Sequence, residues 1–351
     1  MGRCPQRAGK ERMAMGAGLR YVNDDAPGIR RLRCGRGFRY VHANGKPVVQ
    51  AATLERIRSL AIPPAYRDVW ICAAPDGHLQ ATGRDARGRK QYRYHPDWTG
   101  RRSADKFAHL VEFGTALPRL RRQVRADLRL PGLPREKVLA LVIAVMGRTL
   151  ARVGNDTYAR GNGSYGLTTL RNRHLGRCAG GGLLLEFTGK SGRRQRHAID
   201  DPQLVRLLRR CQELPGQSLF QYVDAQGTAV PIDSGDINHY LRQAMGGAFS
   251  AKDFRTWGGT AAAAFELARY AADPAAAATV ERQVMDAVAA VLGNTTAVCR
   301  RAYVDPCVFD AWHAGALEPL RTLRGARARE SAVLRILRAH HRNAKGAGRT
   351  R

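Results

Sequence analysis

The sequence predicts an α+β protein, with a small β-rich domain followed by a larger, mainly α-helical one. From Leu19 to about Tyr94, turn residues separate short runs rich in β-branched and aromatic residues, as in hairpins. Beyond that point apolar residues recur at helical spacing, with Pro, Gly or acidic residues at the ends of each run. We place the β-rich domain at 19–103, the helical domain at 104–318, and basic tails at 1–18 and 319–351.

Two hairpins and one helix are predicted in the first domain. "GFRYVHANGKPVV" predicts a hairpin around Asn44 and Gly45, because Asn-Gly suits the tight turns of hairpins. "DVWICAAPDGHLQATG" predicts a second hairpin around Pro75, Asp76 and Gly77. Between them, "AATLERIRSL" predicts a short amphipathic helix that stops before the two prolines that follow.

The second domain is predicted to be built mostly of helices around one hairpin. "PREKVLALVIAVMGRTLARVGN" starts with proline and carries the apolar spacing of a buried helix. "GLLLEFTGKSGRRQRHAID" predicts two strands joined at Gly189 to Gly192. Further helices are predicted in "DPQLVRLLRRCQEL", "SGDINHYLRQAMG", "GGTAAAAFELARYAAD" and "ATVERQVMDAVAAVLGN", and the C-terminal tail has room for one in "RESAVLRILRAHHR".

Composition favours a soluble protein of the cytoplasm. No stretch reaches the about 18 apolar residues that a membrane helix needs, and the N-terminus lacks the apolar core of a signal peptide. The seven cysteines are scattered singly without zinc-ligand spacing, which favours free thiols in a reducing compartment.

Charge is the strongest bulk signal. The chain has 59 Lys and Arg against 29 Asp and Glu, a net charge of +30, and the two tails account for only part of it. A folded body this basic predicts a polyanionic partner, for which nucleic acid is the usual one. A membrane surface is the alternative, but the sequence shows no basic amphipathic helix with aromatic anchors.

"LGNTTAVCRRAYVDP" raises the question of whether Tyr303 packs in the core or does chemistry. A free phenol has a pKa near 10, so only about 0.1% is ionised at neutral pH. Attack on a phosphodiester would therefore need several cations around the phosphate. Arg152 in "LARVGN" and Arg255 in "AKDFRTWGGT" are candidates, although arginine is so common here that neither is specific alone.

Lys190 is a more specific candidate. Only eight of the 59 basic residues are lysines, and Lys190 is the single one between Val138 and Ala251. Lysine can give up a proton at workable pH whereas arginine cannot, so a general acid would need lysine. The alternative is an ordinary exposed lysine in a hairpin turn.

Together these motifs resemble the type IB DNA topoisomerases, in particular the small bacterial and poxvirus branch. The resemblance extends over roughly residues 20–318 and rests on linked motifs in a fixed order. They are "LQATGRDARGRKQYRYHP", "ARVGNDTY", "GSYGLTTLRNRH", "EFTGKSG", "KDFRTWG" and "LGNTTAVCRRAY". The resemblance implies a catalytic domain of the tyrosine recombinase and topoisomerase IB type, and a C-shaped clamp around duplex DNA.

The resemblance also implies roles for five residues. Tyr303 matches the nucleophile that forms a 3′-phosphotyrosyl link, and Lys190 matches the general acid that protonates the leaving 5′-oxygen. Arg152 and Arg255 match the arginines that hold the non-bridging oxygens of the transition state. Asn294 stands where the poxvirus pattern has histidine, so it offers a neutral amide donor at every pH.

DNA contacts are implied for a further group, chiefly the strand "RKQYRYHP" in the first domain, which would lie in the major groove. The group consists of Gln91, Tyr92, Tyr94, Arg102, Tyr158 and Lys252. Arg89 and Lys90 are expected to add non-specific attraction for phosphate. Tyr92 and Tyr94 share one strand face, so packing against each other is the alternative. The resemblance implies a monomer associated with the nucleoid that relaxes double-stranded DNA with no metal, ATP or other cofactor.

Two other classes stay open at this point. Tyrosine recombinases share the nucleophile, but they favour histidine where this chain has Lys252 and Thr256, and their first domain is helical. A non-enzymatic DNA-compacting protein would also explain the charge, but it would leave Tyr303 without a task.

Overall fold

The computed structural model describes the backbone of residues 18–347 and the side chains of 18–100, 105–156, 159–178 and 180–342. The chain divides into two compact units between Lys106 and Phe107. The predicted tail at 1–18 lies almost wholly outside the described residues.

The first unit is built on a five-stranded antiparallel sheet in the order β2-β1-β3-β4-β5. Its core contains Ile29, Ile57 and Ile71, each at most 2% exposed, and helix α1 (Ala51–Ser59) contributes Ile57 to it. The strands are β1 (Ile29–Cys34), β2 (Gly37–Val41), β3 (Arg67–Ile71), β4 (Leu79–Arg84) and β5 (Lys90–Tyr94).

One predicted hairpin and the helix are confirmed, and the other hairpin is displaced. β3 and β4 pair on either side of the predicted turn at Pro75 to Gly77. The chain also turns at Asn44 and Gly45, but only a single bridge between Val41 and Pro47 follows. The extended pairing is instead β1 with β2. The Val48 N–H still donates to the Tyr40 carbonyl at 2.9 Å, but no strand forms beyond that bridge.

The second unit is mainly helical, with a three-stranded sheet and a two-stranded one. Its helices are α2 (Pro96–Asp127, which begins in the first unit), α3 (Arg135–Thr149), α4 (Asp156–Asn162), α5 (Pro202–Gln212), α6 (Ser234–Met245), α7 (Ala251–Leu267), α8 (Ala277–Leu292), α9 (Thr296–Ala302), α10 (Cys307–His313) and α11 (Ala326–Ala347). Its strands are β6 (Leu175–Arg177), β7 (Leu183–Thr188), β8 (Arg194–Ile199), β9 (Gln221–Val223) and β10 (Ala229–Pro231). The predicted α+β class, with a small β-rich part ahead of a larger helical part, is confirmed.

Helix α3 lies at the centre of the helical unit. Val138, Leu139, Val142, Val145 and Met146 are all at most 1% exposed, as the apolar spacing predicts. Immediately after the helix the backbone of Leu150 turns into the left-handed region, with φ at 52°. Arg152 therefore follows the helix in an extended segment, where its carbonyl accepts the Leu167 N–H at 2.9 Å.

The C-terminal segment differs from the predicted basic tail at 319–351. Helix α11 packs on the helical unit, and its Ala332, Val333 and Leu337 belong to the core. These residues place apolar side chains at helical spacing, so one face of the helix is buried while its arginines face outward. The high charge of the segment obscures this stripe in the sequence.

The predictions about membrane helices and about cysteines can be compared with the described residues. Within them no helix is long and apolar enough to cross a membrane. The cysteines of that part of the chain are free thiols, as the scattered spacing predicts.

Candidate active site

Arg255 is held by the ends of two other helices. It lies in the first turns of α7, is only 4% exposed, and donates from Nη1 to the carbonyl of Leu150, just after α3. Its Nη2 donates to the carbonyl of Leu292, the last residue of α8, at 2.8 Å. The C-terminal ends of helices carry partial negative charge, so both contacts stabilise a buried guanidinium.

Tyr303 lies against this guanidinium. The Arg255 Cζ is 4.9 Å from the centre of the Tyr303 ring, within the range of a cation–π contact. The Arg255 Nε has no hydrogen-bond partner among the described residues, so a buried donor remains beside the phenol ring. The pair therefore combines a half-buried phenol with an unused cationic donor.

The backbone of Tyr303 is fixed where α9 ends. Its N–H donates to the Cys299 carbonyl at 2.9 Å, and its own carbonyl accepts from Thr260 Oγ1 at 3.4 Å. Gly259 makes this approach possible, because an added Cβ there would lie 2.7 Å from the Tyr303 carbonyl oxygen. Helix α7 thus supplies Arg255, and one turn later it supplies the surface against which the Tyr303 backbone packs.

Arg152 and Asn294 form the other half of the cluster. Arg152 Nη2 donates to Asn294 Oδ1, and this contact fixes the amide so that Nδ2 is the free end. Asn294 follows Gly293, whose φ of 58° ends α8 in the left-handed region. Nδ2 is buried, contacts the Cys299 thiol, and donates to no oxygen or nitrogen within the described part of the chain. The amide therefore has an unused donor beside Arg152.

Electrostatics lower the pKa of the Tyr303 phenol. Burial alone would raise it, but the charge and hydrogen bonding of Arg255 and the charges of Arg152 and Lys252 outweigh that effect. The pKa of Arg152 is also below its ordinary value, chiefly because of burial and then because of the neighbouring Arg255 charge. Several positive charges therefore surround one phenol, as the sequence argument requires.

Lys190 is exposed in the turn between β7 and β8, and the pairing of these strands confirms the predicted hairpin. The structure shows no contact between Lys190 and the Tyr303 phenol. The hairpin itself reaches the cluster through Arg193, whose Nη1 donates to the Asn294 carbonyl at 2.6 Å. Ser191 adopts a left-handed backbone, with φ at 64°, which tightens the turn that carries Lys190.

Arg300, which precedes Tyr303 closely in the sequence, has a structural role. Its Nη2 lies 2.5 Å from Glu281 Oε2, and its Cζ lies 4.6 Å from the centre of the Phe309 ring. Arg301 is exposed. The basic pair next to Tyr303 in the sequence is thus different from Arg255, the arginine that lies against its ring.

The predicted DNA-binding strand is β5, at the edge of the first unit's sheet. Tyr92 and Tyr94 are 48% and 39% exposed, and their rings stack at 6.1 Å and 11°. The two rings therefore pack against each other, as the alternative interpretation predicts, and both are still exposed to solvent.

Charged and polar neighbours of the two tyrosines form local contacts. Arg89 forms an ion pair with Asp85 at 2.7 Å, and Gln91 Nε2 donates to the same carboxylate at 3.0 Å. Lys90 forms an ion pair with Asp24. The side chains of Arg102 and Tyr158 lie outside the described residues.

Two residues near the cluster have electrostatic interactions with it that the sequence did not predict. Lys252 was expected only to contact DNA, yet its charge also acts on Tyr303. It is exposed and lies about one helical turn before Arg255, a spacing visible in "KDFR". His197 on β8 has its pKa lowered by burial and by Arg255, and no motif singled it out.

Comparisons with known proteins identify the family of the chain. A model of the eukaryotic DNA topoisomerase I catalytic core matches residues 95–305, and a model of the bacterial DNA topoisomerase IB N-terminal domain matches 37–85. DNA topoisomerase 1B of Acanthamoeba polyphaga mimivirus is 34% identical over 235 residues, which cover 66% of this chain and 70% of that protein.

Together, these matches show that the chain is an isomerase that breaks and rejoins DNA. The chain belongs to the type IB DNA topoisomerase family, in its bacterial and virus-like branch. The resemblance drawn from the motifs is therefore confirmed, and double-stranded DNA is the substrate.

Proposed function

We propose that the protein relaxes supercoiled DNA by nicking one strand through a transient 3′-phosphotyrosyl link at Tyr303. The observation that carries this proposal is the position of Tyr303 against Arg255, with Arg152 in the same cluster. A DNA-compacting protein, by contrast, would leave this pair of side chains without a chemical task.

The reaction begins with the phenol oxygen attacking the scissile phosphorus. The phenol loses its proton, a P–O bond forms to Tyr303, and the bond to the 5′-oxygen breaks. Positive charge from Arg255, Arg152 and Lys252 favours the ionised phenol before attack. Because the new ester keeps the energy of the broken phosphodiester, the 5′-hydroxyl can attack it in turn and reseal the strand without ATP.

Negative charge on the non-bridging oxygens is met by donors that the protein leaves unused. Arg255 Nε and Asn294 Nδ2 are the buried examples, and Arg152 is tied to Asn294 through its Nη2. Preorganised donors of this kind stabilise a transition state more than a ground state, because the oxygens gain charge as attack proceeds.

Lys190 is proposed as the general acid for the departing 5′-oxygen. Its support is the exposed turn, the chemistry of lysine, and the contact of the same hairpin with Asn294 through Arg193. An exposed side chain on a tight turn is free to approach bound DNA, which suits a group that must meet the leaving oxygen.

DNA binding is proposed to use both units. In the first unit β5 would present Arg89, Lys90, Gln91, Tyr92 and Tyr94, and beyond it Arg102, Tyr158 and Lys252 would contribute. Ion pairs such as Arg89 with Asp85 would give way to phosphate, since exposed pairs are weak. Closure as a clamp, action as a monomer and association with the nucleoid remain predictions from the family.

The decisive experiment compares the wild type with Tyr303→Phe on supercoiled plasmid that lacks any recombination site, without ATP or added magnesium. We expect relaxation and a detergent-stable protein–DNA adduct for the wild type, and neither for Tyr303→Phe, with unchanged DNA affinity. A recombinase would leave this plasmid supercoiled. A compaction protein would form no adduct, and Tyr303→Phe would change nothing.

A further inference from the structure

Three side chains that can bind a metal converge just beyond the nucleophile. Asp305 and Cys307 lie in the segment that leads from Tyr303 into α10, and His341 lies on α11. One ligand atom from each lies within 4.8 Å of the others. Asp305 and Cys307 are 2% and 1% exposed, while His341 is partly exposed and gives solvent access to the cluster.

The donor set is chemically selective. One carboxylate oxygen, one sulfur and one imidazole nitrogen suit Zn²⁺, and water would fill the tetrahedral position that a fourth protein ligand fills in most structural zinc sites. Mg²⁺ and Ca²⁺ prefer oxygen ligands throughout. An aspartate and a thiolate together carry two negative charges, so a divalent cation would leave this buried site neutral.

Hydrogen bonds within the cluster join the Asp305 carboxylate to both of the other residues. Asp305 Oδ1 accepts the Cys307 N–H at 3.0 Å, which anchors the carboxylate to the start of α10. Its Oδ2 lies 2.9 Å from His341 Nε2. The Cys307 thiol is buried beside the Asp305 carboxylate, where a bound cation would replace its proton.

We propose that Asp305, Cys307 and His341 form a structural zinc site that ties helix α11 to the segment following Tyr303. On binding, the Cys307 thiol releases one proton to solvent, and the His341 ring binds through Nε2 with its N–H at Nδ1. The sulfur and Nε2 then bind the ion together with Asp305. No electron is transferred.

The site would act on the backbone around the nucleophile. The Asp305 N–H donates to Thr260 Oγ1 at 3.0 Å, and the same hydroxyl lies 3.4 Å from the Tyr303 carbonyl. A metal bound at Asp305 would therefore hold both this link and α11 in place. Its role is structural, so it does not conflict with metal-independent strand cleavage.

Zinc binding to the full chain tests the proposal directly. Chelator-treated protein is titrated with Zn²⁺ against a chromophoric chelator, and Co²⁺ is used as a spectroscopic substitute. We expect one zinc per chain, a thiolate-to-cobalt band, and a higher Tm with zinc, because binding favours the folded state.

Matched variants identify the ligands. Cys307→Ser should abolish the cobalt band, and His341→Gln should keep a hydrogen bond to Asp305 but lower zinc affinity at least about ten-fold, since even outer-shell changes cost about that much. His340→Gln, one position away, and Cys211→Ser, at a buried cysteine on α5, should behave like the wild type. The proposal is overturned if the wild type retains no zinc, or if Cys307→Ser binds zinc as tightly as the wild type.

Discussion

The guanidinium carbon of Arg255 lies 4.9 Å from the centre of the Tyr303 ring. The carbonyls of Leu150 and Leu292 accept its two terminal nitrogens. Both carbonyls lie at helix ends, so the position of Arg255 depends on the packing of α3, α7 and α8. The charge that lowers the Tyr303 pKa is thus built into the core of the helical unit.

Arg255→Lys keeps the positive charge but loses the planar guanidinium group, whose two terminal nitrogens donate to two carbonyls. We expect the single-turnover cleavage rate to fall by about 100-fold or more, the usual cost of losing one oxyanion donor. Arg300→Lys is the matched control, because Arg300 also lies over an aromatic ring but pairs with Glu281. Equal loss in both variants would show that Arg255 acts only through packing.

Asn294→His should retain cleavage, and the retention should depend on pH. Arg152 donates to Asn294 Oδ1, so a replacement must accept one hydrogen bond as well as donate one. Neutral histidine does both, whereas protonated histidine can only donate. Activity of Asn294→His should therefore rise through the imidazole pKa, at about 6.5, while the wild type lacks that step. If Asn294→His folds normally but cleaves no better than Asn294→Ala, a hydrogen-bonding role for the amide is wrong.

The sequence predicted the elements better than it predicted their contacts. Helix α3 and the hairpin of Lys190 followed from apolar spacing and turn glycines, since those signals are local. The contact of Arg255 with Leu150 and Leu292 joins segments far apart in the chain, so no local pattern could predict it. Residue order identified the catalytic candidates only through the family resemblance.

The C-terminal helix shows a different limit of prediction. Ala332, Val333 and Leu337 are buried, but they are interspersed with arginines that made the segment resemble a tail. Asp305 and His341 meet only because α11 folds back onto the helical unit. Zinc-ligand spacing along the sequence could not reveal a site assembled in this way.

Lys252→Gln should move the pH dependence of cleavage. The Lys252 charge helps to lower the Tyr303 pKa, so its removal raises that pKa and leaves less phenolate at a given pH. The rising limb of the single-turnover rate should shift to higher pH, by less at high salt because Lys252 is exposed. Saturating enzyme removes any effect on affinity, and Lys46→Gln, an exposed lysine in the first unit, is the control. A pH profile identical to that of the wild type would show that the Lys252 charge does not affect the Tyr303 pKa.

Tyr92→Ala should weaken DNA binding with little effect on folding, because the ring is 48% exposed and stacks on Tyr94 at the sheet edge. Tyr92→Phe keeps the stack and should separate ring contacts from hydroxyl contacts. Neither variant removes charge, so the slope of affinity against salt should stay unchanged. Lys90→Gln should instead reduce that slope by about one, as loss of one phosphate contact does. Full affinity in Tyr92→Ala would argue against β5 as the binding strand.

Gly259→Ala tests the packing that positions Tyr303, the proposed nucleophile. An added Cβ would lie 2.7 Å from the Tyr303 carbonyl oxygen and 3.3 Å from the Tyr303 Cβ, so the tyrosine backbone must move. We expect a loss of about 1–3 kcal/mol in the free energy of unfolding, as for other overpacked sites, and slower cleavage at unchanged DNA affinity. Gly147→Ala in α3 is the control, since its added Cβ meets nothing nearer than 3.8 Å and should stabilise the helix. If Gly259→Ala destabilises the fold yet cleaves at the wild-type rate, the approach of α7 to Tyr303 supports the fold alone and not the position of the nucleophile.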